Sequence, residues 1–228
     1  EFLAEIDTDG AGEWQGRLQQ QGFDHVCDAV LYQQLRNGAA LPLRDHLQAT
    51  AQRQQRMARF LEAPGVPPAS VAFASPQHEA AAVLCYATPG LRLWQPGLLP
   101  RGGRVQSAPR ANVADAGAAA AAAEVAASNS AAFFFRKLLG VLRHDAVRDG
   151  VWSLLECGEA WSGNPTAEDF IVGAWQQPGR PWVCVAVNYA AHASQCYVRL
   201  PALDERGSGH APTQRLTDLL GAAVYERP

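Results

Sequence analysis

Glu5 closes a short apolar run, Phe2-Leu3-Ala4, that reads as a strand, and a carboxyl delivered at the tip of a strand is placed to act as a general acid or base. One carboxyl is half a set. Breaking a C–O bond this way takes two, one to protonate the leaving oxygen and one to attack or to activate water. The residues next to it imitate other chemistries. Glu5-Ile6-Asp7-Thr8-Asp9-Gly10 starts like a Ca²⁺ loop, with oxygen ligands at alternate positions and Gly at the sixth, but its twelfth position is Gly16 where a bidentate Glu belongs. Gly10-Ala11-Gly12 after a strand resembles a dinucleotide turn, yet the next glycine, Gly16, falls one residue too far on. The histidines (His25, His46, His78, His144, His192, His210) show no two at metal-ligand spacing, so local hydrogen bonding is their expected role. No cofactor or metal is expected. Of the tryptophans, Trp94, Trp152, Trp175 and Trp182 read as packing residues, and Trp161, flanked by Ser162-Gly163-Asn164, as an aromatic face free to stack on a ligand.

The elements that must position Glu5 follow from spacing and breakers. Residues 1 to 6 read as a strand and 7 to 12 as a polar, Gly-rich loop leaving its carboxyl end. Val26, Ala29, Val30, Leu31 and Leu35 recur at helical spacing up to the stop at Asn37-Gly38, with Tyr32 and Leu35 on the core face. A second helix is expected from Leu43 to about Phe60. Ala63-Pro64-Gly65-Val66-Pro67-Pro68 breaks regular structure, residues 79 to 87 read as helix, and Leu91 to Trp94 as strand. Residues 100 to 112 read as loop, 114 to 127 as an Ala-rich low-complexity run, and Phe133 to Arg143 as helix. After Gly150 the character changes to short β-rich runs around Trp152, Phe170, Trp182 and Gln195, separated by Gly, Pro and Asn.

Composition bounds the rest. A chain of 228 residues with 48% hydrophobic content can bury a sizeable core. A formal net charge of −3 shows no basic excess and gives a phosphate-backbone partner no electrostatic support, so no nucleic-acid partner is expected. Five cysteines, an odd number with no C-x-x-C pair, suggest neither a disulfide framework nor a zinc site and fit reduced thiols in a cytoplasm. No apolar run is long enough to span a bilayer and no signal peptide opens the chain, so no membrane partner is expected. The chain opens without Met and inside a strand-like run, which fits the loss of an upstream segment.

Four segments in order, Phe2-Leu3-Ala4-Glu5, Gln19-Gln20-Gln21-Gly22-Phe23-Asp24, Phe60-Leu61-Glu62 and Thr88-Pro89-Gly90, resemble the last four strands of an α-amylase-family glycoside hydrolase. Val187-Asn188-Tyr189, followed by a short strand ending in Leu200-Pro201, resembles the β domain that these enzymes append to the barrel. The resemblance implies an α/β fold class: a partial (β/α)₈ TIM barrel (strands 5 to 8) over residues 1–150, then an antiparallel, β-sandwich-like C-terminal domain over 151–228. It implies an α-glucan or oligosaccharide substrate, retaining hydrolysis or transglycosylation at α-glucosidic bonds, and Glu5 as general acid/base. The family's nucleophile would lie upstream of Glu1. Where relatives carry His-Asp after the seventh strand, this chain has Pro64 and Gly65, so the transition-state carboxylate is lost; Asp24 is not one of the catalytic three and reads as a turn residue. The isolated chain is expected to be inactive, with a missing N-terminal half barrel as a partner. The rival reading is a noncatalytic carbohydrate-binding or assembly protein that retains the scaffold.

Overall fold

The computed structural model describes residues 1–5, 11–48, 51–95, 130–200, 214–221 and 223–227. Asp7 and Asp9, the loop at 100–112 and the Ala-rich run at 114–127 lie outside them. Four short strands, β1 (Leu3–Ala4), β2 (His25–Cys27), β3 (Met57–Arg59) and β4 (Leu91–Arg92), form one parallel sheet in chain order β1-β2-β3-β4. Parallel neighbours cannot be joined by tight turns. Helices make the crossovers: α1 (Ala11–Gln20), then α2 (Ala29–Asn37), α3 (Ala40–Gln48) and α4 (Ala51–Gln55), then α5 (Ala69–Ala72) and α6 (Ser75–Ala87). The start and stop of α2 are local chemistry. Asp28 caps it by accepting the Leu31 amide at 3.1 Å, and Gly38 ends it at φ +75°, a conformation that costs glycine nothing.

Two sequence expectations are corrected here. The second strand is His25–Cys27, not residues 19–24: Gln19 and Gln20 finish α1, and Gly22-Phe23-Asp24 is the turn into the strand. The helix expected from Leu43 to Phe60 is two helices and a strand, α3, α4 and β3. Met57, Ala58 and Arg59 are all buried, so β3 has no polar alternation to distinguish it from a buried helical turn. The strand comes immediately before Phe60-Leu61, which follow it into the loop.

From residue 130 onward come α7 (residues 130–142), α8 (Asp145–Asp149) and antiparallel strands. β5 (Val151–Leu154), β7 (Phe170–Gln176) and β8 (Val183–Asn188) form one sheet, β6 (Cys157–Glu159) and β9 (Cys196–Val198) a ribbon, and β10 (Gln214–Thr217) and β11 (Val224–Arg227) a hairpin. A 3₁₀ turn (Pro165–Asp169) leads into β7. β8 alternates as a half-buried strand should, with Val183, Val185 and Val187 inward and Cys184 exposed. Those valines, with Ile171 and Trp175 of β7, join the core that α2, α3 and α6 build on the first sheet. Two polar anchors fix the contact: Trp175 Nε1 donates to the Ala87 carbonyl at 2.6 Å and Tyr189 Oη to the Leu35 carbonyl at 2.6 Å. On its other face β7 packs Val172 and Ala174 against Leu155, with Cys157 and Val198 of the ribbon alongside.

Gly90 sets how closely β4 can approach β3. Its φ is +131°, and a β-carbon there would strike the Met57 carbonyl oxygen. Gly90→Ala is expected to destabilise the chain by about 2 kcal/mol or more, from strain and collision together; urea unfolding against the wild type measures it.

Candidate functional site

The carboxyl ends of the parallel strands gather the polar side chains, and strand alternation sorts them by face. Register aligns Ala4 with Val26 and Val26 with Met57, then Cys27 with Ala58 and Ala58 with Leu91, then Arg59 with Arg92. With a period of two, Ala4, Val26, Met57, Asp28, Arg59 and Arg92 share one face, and Glu5, Cys27, Ala58 and Leu91 the other. Helices cover both: on the first face Gln19 of α1 reaches Met57 Sδ at 3.7 Å and Arg92 Nε donates to the Tyr86 carbonyl of α6 at 2.6 Å, and on the second Cys27, Ala58 and Leu91 join the core built by α2, α3 and α6. Glu5 lies just past the end of β1, on the second face. It is exposed, and its charge lies close enough to Cys27 to add to burial in pushing that thiol up to about 11.

The first face holds a buried polar network centred on Asp28. Its Oδ1 accepts from the Leu31 amide and from Gln15 Nε2 at 3.0 Å; its Oδ2 accepts from Arg59 Nη1 and from His46 Nε2 at 2.9 Å. Arg59 is equally engaged: Nη2 donates to Gln54 Oε1 and Nε to the Pro89 carbonyl at 2.8 Å. Both side chains are fully buried. Burial pushes Arg59 down to about 10, which still leaves it charged at neutral pH. His46 is pushed down to about 4 by burial first and by Arg53 second. Asp28 does not hold it protonated, because the charge of Asp28 is already met by Arg59. Neutral His46 must then be the Nε2–H tautomer, since a carboxylate only accepts.

The other candidates are dispersed. Pro64 and Gly65 sit in the exposed turn after β3, Gly65 at φ +83° with nothing within 4 Å of where a β-carbon would stand. Glu62, in the same loop, turns back to accept the Ala69 amide at 2.9 Å. A shallow cavity of about 450 Å³ opens here, lined by Glu62, Pro64, Val66 and Gln95 among others. Asp24 is a turn residue whose Oδ2 accepts the Phe2 amide at 2.7 Å, tying the start of β1 to β2. Tyr32 is buried, stacked on Phe60 with ring centroids 5.3 Å apart. Trp161 is 57% exposed, far from the strand ends in sequence and packed on no other ring among the described residues. Of the histidines, His25 pairs with Glu1, His46 with Asp28 and His192 with Asp169. Among the described residues no three His, Cys, Asp or Glu side chains gather as a metal site would require, and no helix is long and apolar enough to cross a membrane.

No protein-family model, curated protein or solved structure matches the chain. The Asp28 network is the feature that sequence reasoning missed. Its signal was present in part: Asp28 stands directly before the helical run Ala29-Val30-Leu31, an N-cap position, and Arg59 is a lone cation inside Met57-Ala58-Arg59-Phe60-Leu61.

Two outcomes follow from this network. Arg59→Met, which strands Asp28 without a partner, is expected to cost about 3–5 kcal/mol, whereas Arg59→Met with Asp28→Asn is expected to cost less than the sum of the single changes; urea unfolding of the four chains completes the cycle. His46 gives a pH dependence. Its folded pKa lies below its unfolded one, so the unfolded chain binds the proton first as pH falls. Stability is complete above about 6.5 and is lost toward about 4, by about 3 kcal/mol. His46→Gln should flatten this window in the difference between unfolding curves taken at pH values across it.

Proposed function

We propose that the chain is a degenerate member of the α-amylase family that binds α-glucan but does not turn it over by itself. Residues 1–150 would supply the last four β/α units of a (β/α)₈ barrel and residues 151–228 the appended β domain, with the protein working in a reducing cytoplasm. The observation that carries this reading is the separation of Glu5 from every other described strand-end carboxyl. Parallel strands in unbroken chain order, joined by helices, are what a barrel segment needs, and they bring Glu5 and the Glu62–Gly65 loop to the same end of the sheet. Asp28, on the adjacent strand, points to the opposite face and accepts four hydrogen bonds. Glu62 is committed to a backbone amide.

The chemistry then stops halfway. Glu5 can protonate a glycosidic oxygen, but no described carboxylate stands across the bond to attack the anomeric carbon, and retention needs one. Gly65 offers the distorted sugar no side-chain acceptor, a loss of about 10² to 10³ in rate where one such preorganised contact is removed. Restoring Asp at that position also meets backbone resistance, since φ +83° is left-handed, although Asp tolerates it better than most residues.

A second reading is favoured by the sheet edge. β1 is an outer strand, and Phe2 and Leu3 are 71% and 45% exposed. An exposed apolar edge strand is a template for pairing. On this reading the chain serves as a noncatalytic assembly unit, completed by a barrel half that brings the other strands.

The test uses the whole chain with maltooligosaccharides and soluble starch. Migration in a native gel is expected to be retarded by starch, while release of reducing ends stays at the level of the buffer control for both wild type and Glu5→Gln. Turnover that Glu5→Gln abolishes would overturn the noncatalytic reading. Unchanged migration at every glucan concentration would overturn the glucan.

A further inference from the structure

The β6–β9 ribbon brings together two cysteines 39 positions apart in sequence. Register sets Cys157 opposite Val198 and Cys196 opposite Glu159, so both thiols belong to the same face of the ribbon, one diagonal step apart. That face is the inner one: Cys157, Cys196 and Val198 are half-buried, and Tyr197 between them points to solvent at 69% exposure. The two thiols are close enough that each shifts the other. The remaining cysteines have no such arrangement: Cys27 and Cys85 are buried in the main core, and Cys184 is exposed on β8.

We propose that Cys157 and Cys196 form a reversible redox pair that closes to a disulfide when a hydroperoxide reaches the ribbon. Thiols set diagonally on one face of a ribbon are neighbours that must close to the about 2.05 Å of an S–S bond. The strands can give by the small amount a diagonal pair requires, because the ribbon is three residue pairs long and Gly158 between the cysteines has open space where a β-carbon would be. Arg44 of α3 opposes, at both sulfurs, the rise that burial causes.

Either cysteine can attack first, here Cys157. Its thiolate takes the terminal oxygen of the hydroperoxide, the O–O bond breaks, and the leaving alkoxide or hydroxide takes a proton, giving a sulfenic acid and an alcohol or water. The sulfur of Cys196 then attacks the sulfenic sulfur. The S–O bond breaks, the Cys196 proton leaves with the hydroxide as water, and the two electrons lost by the thiols have reduced the peroxide. Burial raises both thiols, so the thiolate is scarce at neutral pH and the pair responds to sustained oxidant instead of traces. Closure holds the segment that precedes Cys196. Gln195 already exchanges hydrogen bonds with Thr166, and Tyr189 to His192 form one wall of a cavity of about 590 Å³ against Arg36 and Gln77.

The experiment treats the full chain with a modest excess of hydrogen peroxide, blocks remaining thiols with N-ethylmaleimide, and digests it without reduction for mass spectrometry. The expected product is one peptide pair joined through Cys157 and Cys196, lighter by two hydrogens than the free thiols, reversed by dithiothreitol and retained in Cys184→Ser. The oxidised chain is expected to melt about 5–10 °C higher, because the bridge closes a long loop. Recovery of Cys157 and Cys196 as N-ethylmaleimide adducts while Cys184 is oxidised would overturn the proposal. So would linkage of either one to Cys184, Cys27 or Cys85.

Discussion

The ion pair between Asp28 and Arg59 is the constraint on which the parallel layer depends. Each charge taken from water costs several kcal/mol, and mutual attraction offsets this only when the remaining lone pairs and protons find partners. Here Asp28 accepts four hydrogen bonds and Arg59 donates three, and each outside partner comes from a different element: Gln15 from α1, Leu31 from α2, His46 from α3, Gln54 from α4, and the Pro89 carbonyl from the turn before β4. An apolar contact would tolerate a helix sliding by half a turn. A carboxylate–guanidinium pair held by directional hydrogen bonds does not, so one interaction registers four helices and two strands at once. Strands of two or three residues have little ladder of their own to do this.

The same arrangement divides the sheet chemically. One face uses its charged side chains internally; the other presents Glu5 with an unreactive, raised thiol beneath it. A residue at the carboxyl end of a parallel strand is conventionally read as functional. That rule distinguishes Glu5 from Asp28 only after the face is known. Asp28 has the position of a catalytic residue and the bonding of a structural one, and with all four of its acceptor sites filled it cannot also receive a proton from a reacting group.

Legibility in the sequence followed the local or non-local origin of each element. α2, α6 and β8 announce themselves, because Asp28 and Gly38 bracket the first, Pro89-Gly90 follows the second, and the third alternates Val183, Val185, Val187 against Cys184 and Ala186. β2 and β3 do not. Both are three residues long and buried on both faces or nearly so, which erases periodicity, and Arg59 reads as the polar face of a helix until Asp28, 31 positions upstream, is known to lie beside it. Cys157 and Cys196 were hidden for the same reason: spacing along the chain says nothing of a ribbon whose strands are separated by β7 and β8. Glu5 was legible as a strand-end carboxyl; the face it shares with Cys27 was not, because that follows only from the strand register.

The packing of β8 on α6 has a consequence for synthesis. The chain emerges from its N-terminus, and α2 and α6 are complete long before Val183, Val185, Val187 and Tyr189 exist to cover them. Ribosomes add about 5–20 residues each second, so the nascent parallel layer spends several seconds with an uncovered apolar flank. Contacts between residues 154 positions apart, as in the Tyr189–Leu35 hydrogen bond, also carry a large loop-closure cost before they return anything. Until β8 arrives, the early half of this protein therefore carries an apolar flank open to association with other chains, a hazard of synthesis that the finished fold no longer shows.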